Sequence, residues 1–174
     1  LDALRKEVER SEETFILHLT QNYSDNLPPI WACCEVMSLG LLSRWYSSLY
    51  PQHIRNKIAA VFELDHRVLQ SWLHHLSVVR NLCAHHSRLW NRQFDRVSPQ
   101  APKSKPAALK DTFVAGHGLY NTLLILIYMM DLIAPNHRWG ARLVDLLEQH
   151  KDLLTEHMDF PSDWKARAIW QVRN

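Results

Sequence analysis

The prolines of this 174-residue chain fall where its helical apolar periodicity stops, and that pattern most limits what it can fold into. Pro28 and Pro29 follow the turn formers Ser24, Asp25 and Asn26, and Pro51 closes an apolar run. Pro99, Pro102 and Pro106 cluster together, while Pro135 and Pro161 end two later segments. A proline lacks the amide hydrogen and clashes with the preceding turn, so it ends or kinks a helix. Between these points apolar residues recur at three- and four-residue intervals, and no segment shows the alternation of a half-buried strand. With only four glycines in the chain, the expectation is an all-α fold: an antiparallel helical bundle with additional short C-terminal helices.

The periodicity predicts a first helix over about 1–22, carried by Leu4, Val8, Phe15 and Leu19. A second, apolar on most sides, is expected over about 30–50 and a short third over 53–63. Asp65 is placed as the N-cap of a long helix from about His66 to Trp90. Its apolar stripe is Leu69, Trp72, Leu73, Leu76, Val79 and Cys83. Residues 93–106 are expected as a surface loop. Helices over 107–133, near 138–155 and near 162–171 complete the chain. The length suits one domain spanning 1–174. Leu1 already lies inside a helical pattern, so a further N-terminal region is expected upstream.

A formal charge of +2 is too small to imply nucleic-acid binding by itself, so only a local basic cluster would carry such a reading. The three cysteines, Cys33, Cys34 and Cys83, form no disulfide framework, and free thiols point to the cytoplasm. The most apolar stretch, Leu123–Met130, is far shorter than the roughly 18–20 residues of a membrane span. It reads as a buried core helix, and no membrane association is expected. No signal peptide is recognisable.

The chemistry concentrates in "VVRNLCAHHSRLWNR", residues 78–92. At helical spacing Asn81, His85 and Arg88 share a face, with Arg92 ahead of them and Arg80 flanking. Histidine titrates near neutrality and is the usual general acid or base. Arginine offers a planar fork of donors for a phosphate. RNA brings its own nucleophile, the 2′-hydroxyl, so a proton shuttle beside a cation suffices for cleavage without a metal. Among eleven histidines and more arginines, however, about one Arg-x4-His pair arises by chance. Spacing alone favours a solvated basic face. A zinc site from His74, His75, Cys83, His85 and His86 is the weaker reading, because no His-Glu-x-x-His or Cys-x2-Cys pattern is present. Trp31, Trp45 and Trp72 read as core. Arg92, Arg96, Lys103, Lys105 and Lys110 either guide RNA toward the polar face or are merely solvated.

"RNLCAHHSRLWNR" strongly resembles the signature of the Abi-like proteins of the AbiD/AbiF type, bacterial abortive-infection proteins within the HEPN superfamily. HEPN ribonucleases carry Arg, a polar residue, three variable residues and His. Here these are Arg80, Asn81, Leu82-Cys83-Ala84 and His85. "LPPIWACCEVMSLGLLSRWYSSL" (27–49), "SEETFILHLTQNY" (11–23) and "DFPSDWKARAIW" (159–170) also look familial. The resemblance implies a HEPN-type bundle acting as a metal-independent endoribonuclease, with no cofactor, whose site forms at a homodimer interface. Carried over by position, Arg80 and His85 are the catalytic pair and Asn81 the helper. Arg88, Asn91, Arg92, His86 and Glu35 are the candidate phosphate-binding or supporting residues. Glu35 is the expected anchor for Arg80 or another basic residue, because a carboxylate on an apolar helix needs a partner. An antitoxin, protein or structured RNA, is the expected partner. The alternative is a HEPN-like module that binds RNA or protein without cleaving.

Overall fold

The computed structural model describes residues 1–103, 106–109, 111–154 and 156–171. In chain order its α-helices are α1 (Asp2–Glu9), α2 (Thr14–Asn22), α3 (Ile30–Val36), α4 (Leu39–Ser48), α5 (Gln52–Val61), α6 (His66–Ala84), α7 (Leu119–Ile133) and α8 (Trp139–Gln149). Short 3₁₀ turns follow at Lys151–Leu153, Glu156–Met158, Trp164–Ala166 and Ala168–Trp170. No strand occurs among the described residues, and the all-α architecture is as the proline punctuation predicts. Asp65 caps α6 as expected, its Oδ1 accepting the Arg67 amide hydrogen at 2.8 Å. Among the described residues no helix is long and apolar enough to cross a membrane.

Several predicted helices are shorter than their periodicity suggested. The span 1–22 is two helices, broken where Ser11 Oγ accepts the Glu13 amide at 3.3 Å. Ile16 is then buried rather than Phe15, which is half-buried. The span 30–50 is also two helices. Ser38 N-caps α4 by accepting from the Leu41 amide at 3.2 Å, so a side chain competes with the helix it interrupts. The predicted 107–133 helix begins only at Leu119. Gly118 donates its amide to Asp159 Oδ2 at 2.5 Å, and a Cβ on Gly118 would meet the His157 carbonyl oxygen at 2.7 Å. Gly116 at φ +141° adopts a conformation open to glycine. The predicted helices beyond Gln149 are 3₁₀ turns held by aromatic packing. Trp164 and Trp170 meet edge to face at 5.0 Å, and the Trp170 indole donates to the Tyr120 hydroxyl at 3.2 Å.

The buried apolar residues form two clusters. Leu4, Val8, Ile16, Ala32, Cys33 and Leu41 make the smaller one beneath α1–α3. The larger joins α4 to α7 and the C-terminal turns through Tyr46, Leu69, Trp72, Tyr120, Leu124, Ile125, Tyr128, Trp164 and Trp170. Helix α4 belongs to both, with Leu41 at one end and Tyr46 at the other, and packs chiefly along α6. Trp72 is core as expected, whereas Trp31 is 63% exposed and Trp45 only partly buried.

The described part of the segment expected as a surface loop, 93–103, has no helix and is mostly exposed, and its residues 94–100 are strapped along α6. Phe94 is buried and donates its amide to the His117 carbonyl at 2.8 Å. The Val97 carbonyl meets His75 Nδ1 at 2.8 Å. Ser71 Oγ accepts from the Gln100 amide at 2.8 Å, and the Trp72 indole donates to the Gln100 carbonyl at 2.9 Å. The chain therefore runs back antiparallel to α6, with 97 beside 75 and 100 beside 71. His75 is the centre of this contact. It is fully buried, stacks edge to face on Phe94 at 5.0 Å, and its Nε2 lies 2.8 Å from Thr122 Oγ1 on α7. A carbonyl can only accept, so Nδ1 carries the hydrogen and the neutral Nε2 accepts from Thr122. Burial pushes the His75 pKa below its ordinary 6.5, against the opposing Val97 bond and with added repulsion from His74.

His75→Ala opens a cavity and leaves two buried polar groups unpaired, so an urea-unfolding loss of about 2–4 kcal/mol is expected. The unfolded chain protonates His75 first, so the neutral ring's contribution is full above pH 6.5 and falls as pH drops through the folded pKa. Stability measured against pH should show this acid-side slope in the parent and lose it in His75→Ala. A slope shared by both would assign it to other groups.

Candidate functional site

Helix α6 changes character along its length. Val68, Leu69, Trp72, His75 and Val79 are buried, but Arg80, Asn81, Cys83, Ala84, His85 and His86 are all exposed and only Leu82 is half-buried. Cys83, predicted on the apolar stripe, faces solvent because the core ends at Val79. The last turn of the longest helix thus projects from the bundle. It carries the Arg-x4-His pair with it.

Arg80 Nη1 donates to Asn81 Oδ1 at 3.2 Å, and among the described residues no carboxylate pairs with Arg80. His85 keeps helical register, its amide donating to the Asn81 carbonyl at 3.0 Å. Asn81 and His85 therefore stand one turn apart on one face, about 5–6 Å between Cβ atoms. No hydrogen bond joins Arg80 to His85 within the chain. What unites them is Asn81, which binds one and lies beneath the other.

The predicted continuation of this face to Arg88 and Arg92 does not form. The helix ends at Ala84, six residues before the expected Trp90. His86 takes φ +52°, its amide donates to the Cys83 carbonyl at 3.0 Å, and the Ser87 amide donates to the Leu82 carbonyl at 2.8 Å. This pair of bonds is the Schellman motif, with His86 in the left-handed position usually held by glycine. His86, a candidate supporting residue in the sequence, is thus the helix stop.

Beyond it the chain folds onto the C-terminal turns. Arg92 Nε donates to the Arg88 carbonyl at 2.9 Å, and the Arg88 guanidinium stands 5.8 Å from the Trp90 ring centroid. The Trp90 indole donates to the Leu153 carbonyl at 3.0 Å, and Gln93 Nε2 donates to the His157 carbonyl at 2.6 Å. Asn91 sits at φ +53°, a conformation asparagine tolerates. No carboxylate pairs with Arg88 or Arg92 among the described residues. Trp90 is 41% exposed. No sequence signal separates it from the buried tryptophans.

Glu35 is not the partner of Arg80. It is exposed on α3 and lines a shallow cleft of about 380 Å³ with Glu7, Arg10, Glu12 and Glu13. A hydrated carboxylate there needs no counter-charge. Of the basic loop residues, Lys103 lines a larger groove of about 1370 Å³ with Asp65, His66 and Arg67. That places it at the far end of α6, roughly 28 Å of helix away from His85. Lys105 and Lys110 lie outside the described residues. Among those described, no three His, Cys, Asp or Glu side chains come together to hold a metal. His75 spends both ring nitrogens on Val97 and Thr122.

Residues 1–91 match the family described as Abi-like protein. The match spans α1 to α6 and reaches Asn91, so it contains Glu35, Arg80, Asn81, His85, His86 and Arg88. The familial-looking block 159–170 lies beyond it. No curated protein and no solved structure matches the chain.

The helix stop has a direct test. His86→Gly relieves the left-handed strain and is expected to raise stability by up to about 1 kcal/mol, whereas His86→Val should lower it by about 1–2 kcal/mol. Urea midpoints of the two variants should move in opposite directions. Equal loss in both would show that the imidazole itself is needed.

Proposed function

Starting from the fact that the chain belongs to the Abi-like protein family, one of abortive-infection proteins, we propose that it is a metal-independent HEPN-type endoribonuclease and the toxic effector of an anti-phage response. The observation that carries the reading is a cation with no carboxylate partner among the described residues: Arg80 is held by Asn81 Oδ1, with exposed His85 one turn on. An ion pair would neutralise Arg80, whereas a neutral amide orients the guanidinium and leaves its charge for a phosphate.

In the proposed reaction a histidine takes the proton from the ribose 2′-hydroxyl, and O2′ attacks the adjacent phosphorus. The bond to the 5′-oxygen breaks and that oxygen is protonated, leaving a 2′,3′-cyclic phosphate and a 5′-hydroxyl. His85 is the proton carrier. Arg80 stabilises the negative charge that builds on the phosphorane oxygens, and Asn81 positions Arg80. One histidine cannot be base and acid at once in a single step. Two copies supply the pair, and the projecting last turn of α6 suits such a dimer. Its small, exposed Cys83 and Ala84 allow a second helix to approach closely. In this reading the protein is a cytoplasmic homodimer with RNA as substrate, restrained by an antitoxin of protein or structured RNA.

The test is cleavage of single-stranded RNA in excess EDTA. The parent should cleave with full activity. His85→Ala should lose about 10²–10⁴-fold and Arg80→Ala about 10²–10³-fold. Mixing the two inactive variants should restore part of the activity, since a shared cleft then holds one intact Arg and one intact His, with water taking the proton role of the missing second histidine. Cleavage that survives both substitutions, or that EDTA abolishes, sinks the assignment. RNA binding without cleavage returns the chain to the class of binding modules.

A further inference from the structure

Trp90 differs from the other tryptophans of the C-terminal half. Trp164 and Trp170 are buried and Trp139 packs against the core, whereas Trp90 is 41% exposed. Its edge is fixed, because the indole N–H donates to the Leu153 carbonyl at 3.0 Å. The Arg88 guanidinium stands 5.8 Å from its ring centroid. Arg92 is tied back by Nε to the Arg88 carbonyl, two residues before the ring, and neither arginine is neutralised by a carboxylate among the described residues. An exposed aromatic ring of fixed orientation, flanked by uncompensated cations, is what single-stranded nucleic acid recognises: bases stack on the ring and phosphates take the cations.

Trp90 lies five positions after His85. At no more than about 3.6 Å per residue the two lie within roughly 18 Å of each other, a span that a few nucleotides of single strand cover. We propose that Trp90 is a stacking platform for a nucleobase of single-stranded RNA, with the flanking phosphates on Arg88 and Arg92. This deepens the ribonuclease reading and rests on it for the identity of the ligand. Trp90 is thereby a binding residue that ties cleavage to unpaired segments, because a base inside a duplex cannot reach the ring.

The test uses the full chain carrying His85→Ala, so that binding is measured without cleavage. Two ligands are compared: a single-stranded RNA about 12 nucleotides long and an abasic strand of equal length and charge. The chain should bind the base-containing strand about tenfold or more tighter, and Trp90→Ala should remove that preference while leaving affinity for the abasic strand unchanged. Equal affinity for the two strands, or a Trp90→Ala loss that is the same for both, overturns the platform. A second measurement leaves Trp90 intact: RNA substituted with 5-iodouridine is photo-crosslinked to the His85→Ala chain and the adducts are mapped. Crosslinks at Trp90 support the proposal, and crosslinks found solely elsewhere overturn it. Base-dependent binding through Trp90 in a chain whose parent never cleaves RNA would keep the platform and remove the ribonuclease.

Discussion

The neutral imidazole of His75 is the joint on which the architecture around the candidate site depends. It receives a hydroxyl hydrogen from Thr122 on α7 and gives its own to the Val97 carbonyl, so one side chain binds a helix, its neighbour and the returning chain. Each of those polar groups is buried, and each would carry an unmet desolvation penalty without the ring. Around it Trp72, Ser71 and Phe94 repeat the pattern at smaller scale. The segment after α6 is therefore fixed structure. That fixity explains how a helix can end in solvent and still hold a defined orientation.

From this joint the site is built outward. The buried face of α6 stops at Val79, and the next turn carries Arg80, Asn81 and His85 beyond the core. The Schellman bonds at His86 close the helix, and Trp90 and Gln93 tether the following residues to the C-terminal turns. Anchored on both sides, the exposed turn need not be held by ion pairs of its own. Arg80 has no carboxylate partner among the described residues, which suits a surface for phosphate.

How much the sequence disclosed differs from element to element. Asp65 as a cap, the proline stops and the burial of Trp72 follow from local rules, and they hold. Arg80, Asn81 and His85 stand out in the sequence because their spacing matches a family pattern, and helical register persists through His85. The breaks at Ser11 and Ser38 are not legible in the sequence, since serine both tolerates a helix and interrupts one. The stop at His86 carries only a weak local signal, because histidine takes the left-handed conformation far less often than glycine. Projection of one helical face through Arg92 failed for that reason alone.

The sequence by itself determined an all-helical chain and where histidine, arginine and asparagine concentrate, because helix period, proline geometry and residue type act over a few positions. Only the tertiary structure decided which of those residues stay together. Arg88 and Arg92 left the helical face for the Trp90 strap, Lys103 went to the opposite end of α6, and Glu35 turned to solvent. Those outcomes hang on contacts between residues tens of positions apart, such as His75 with Thr122 and Trp90 with Leu153. The geometry of such contacts appears once the whole core has packed.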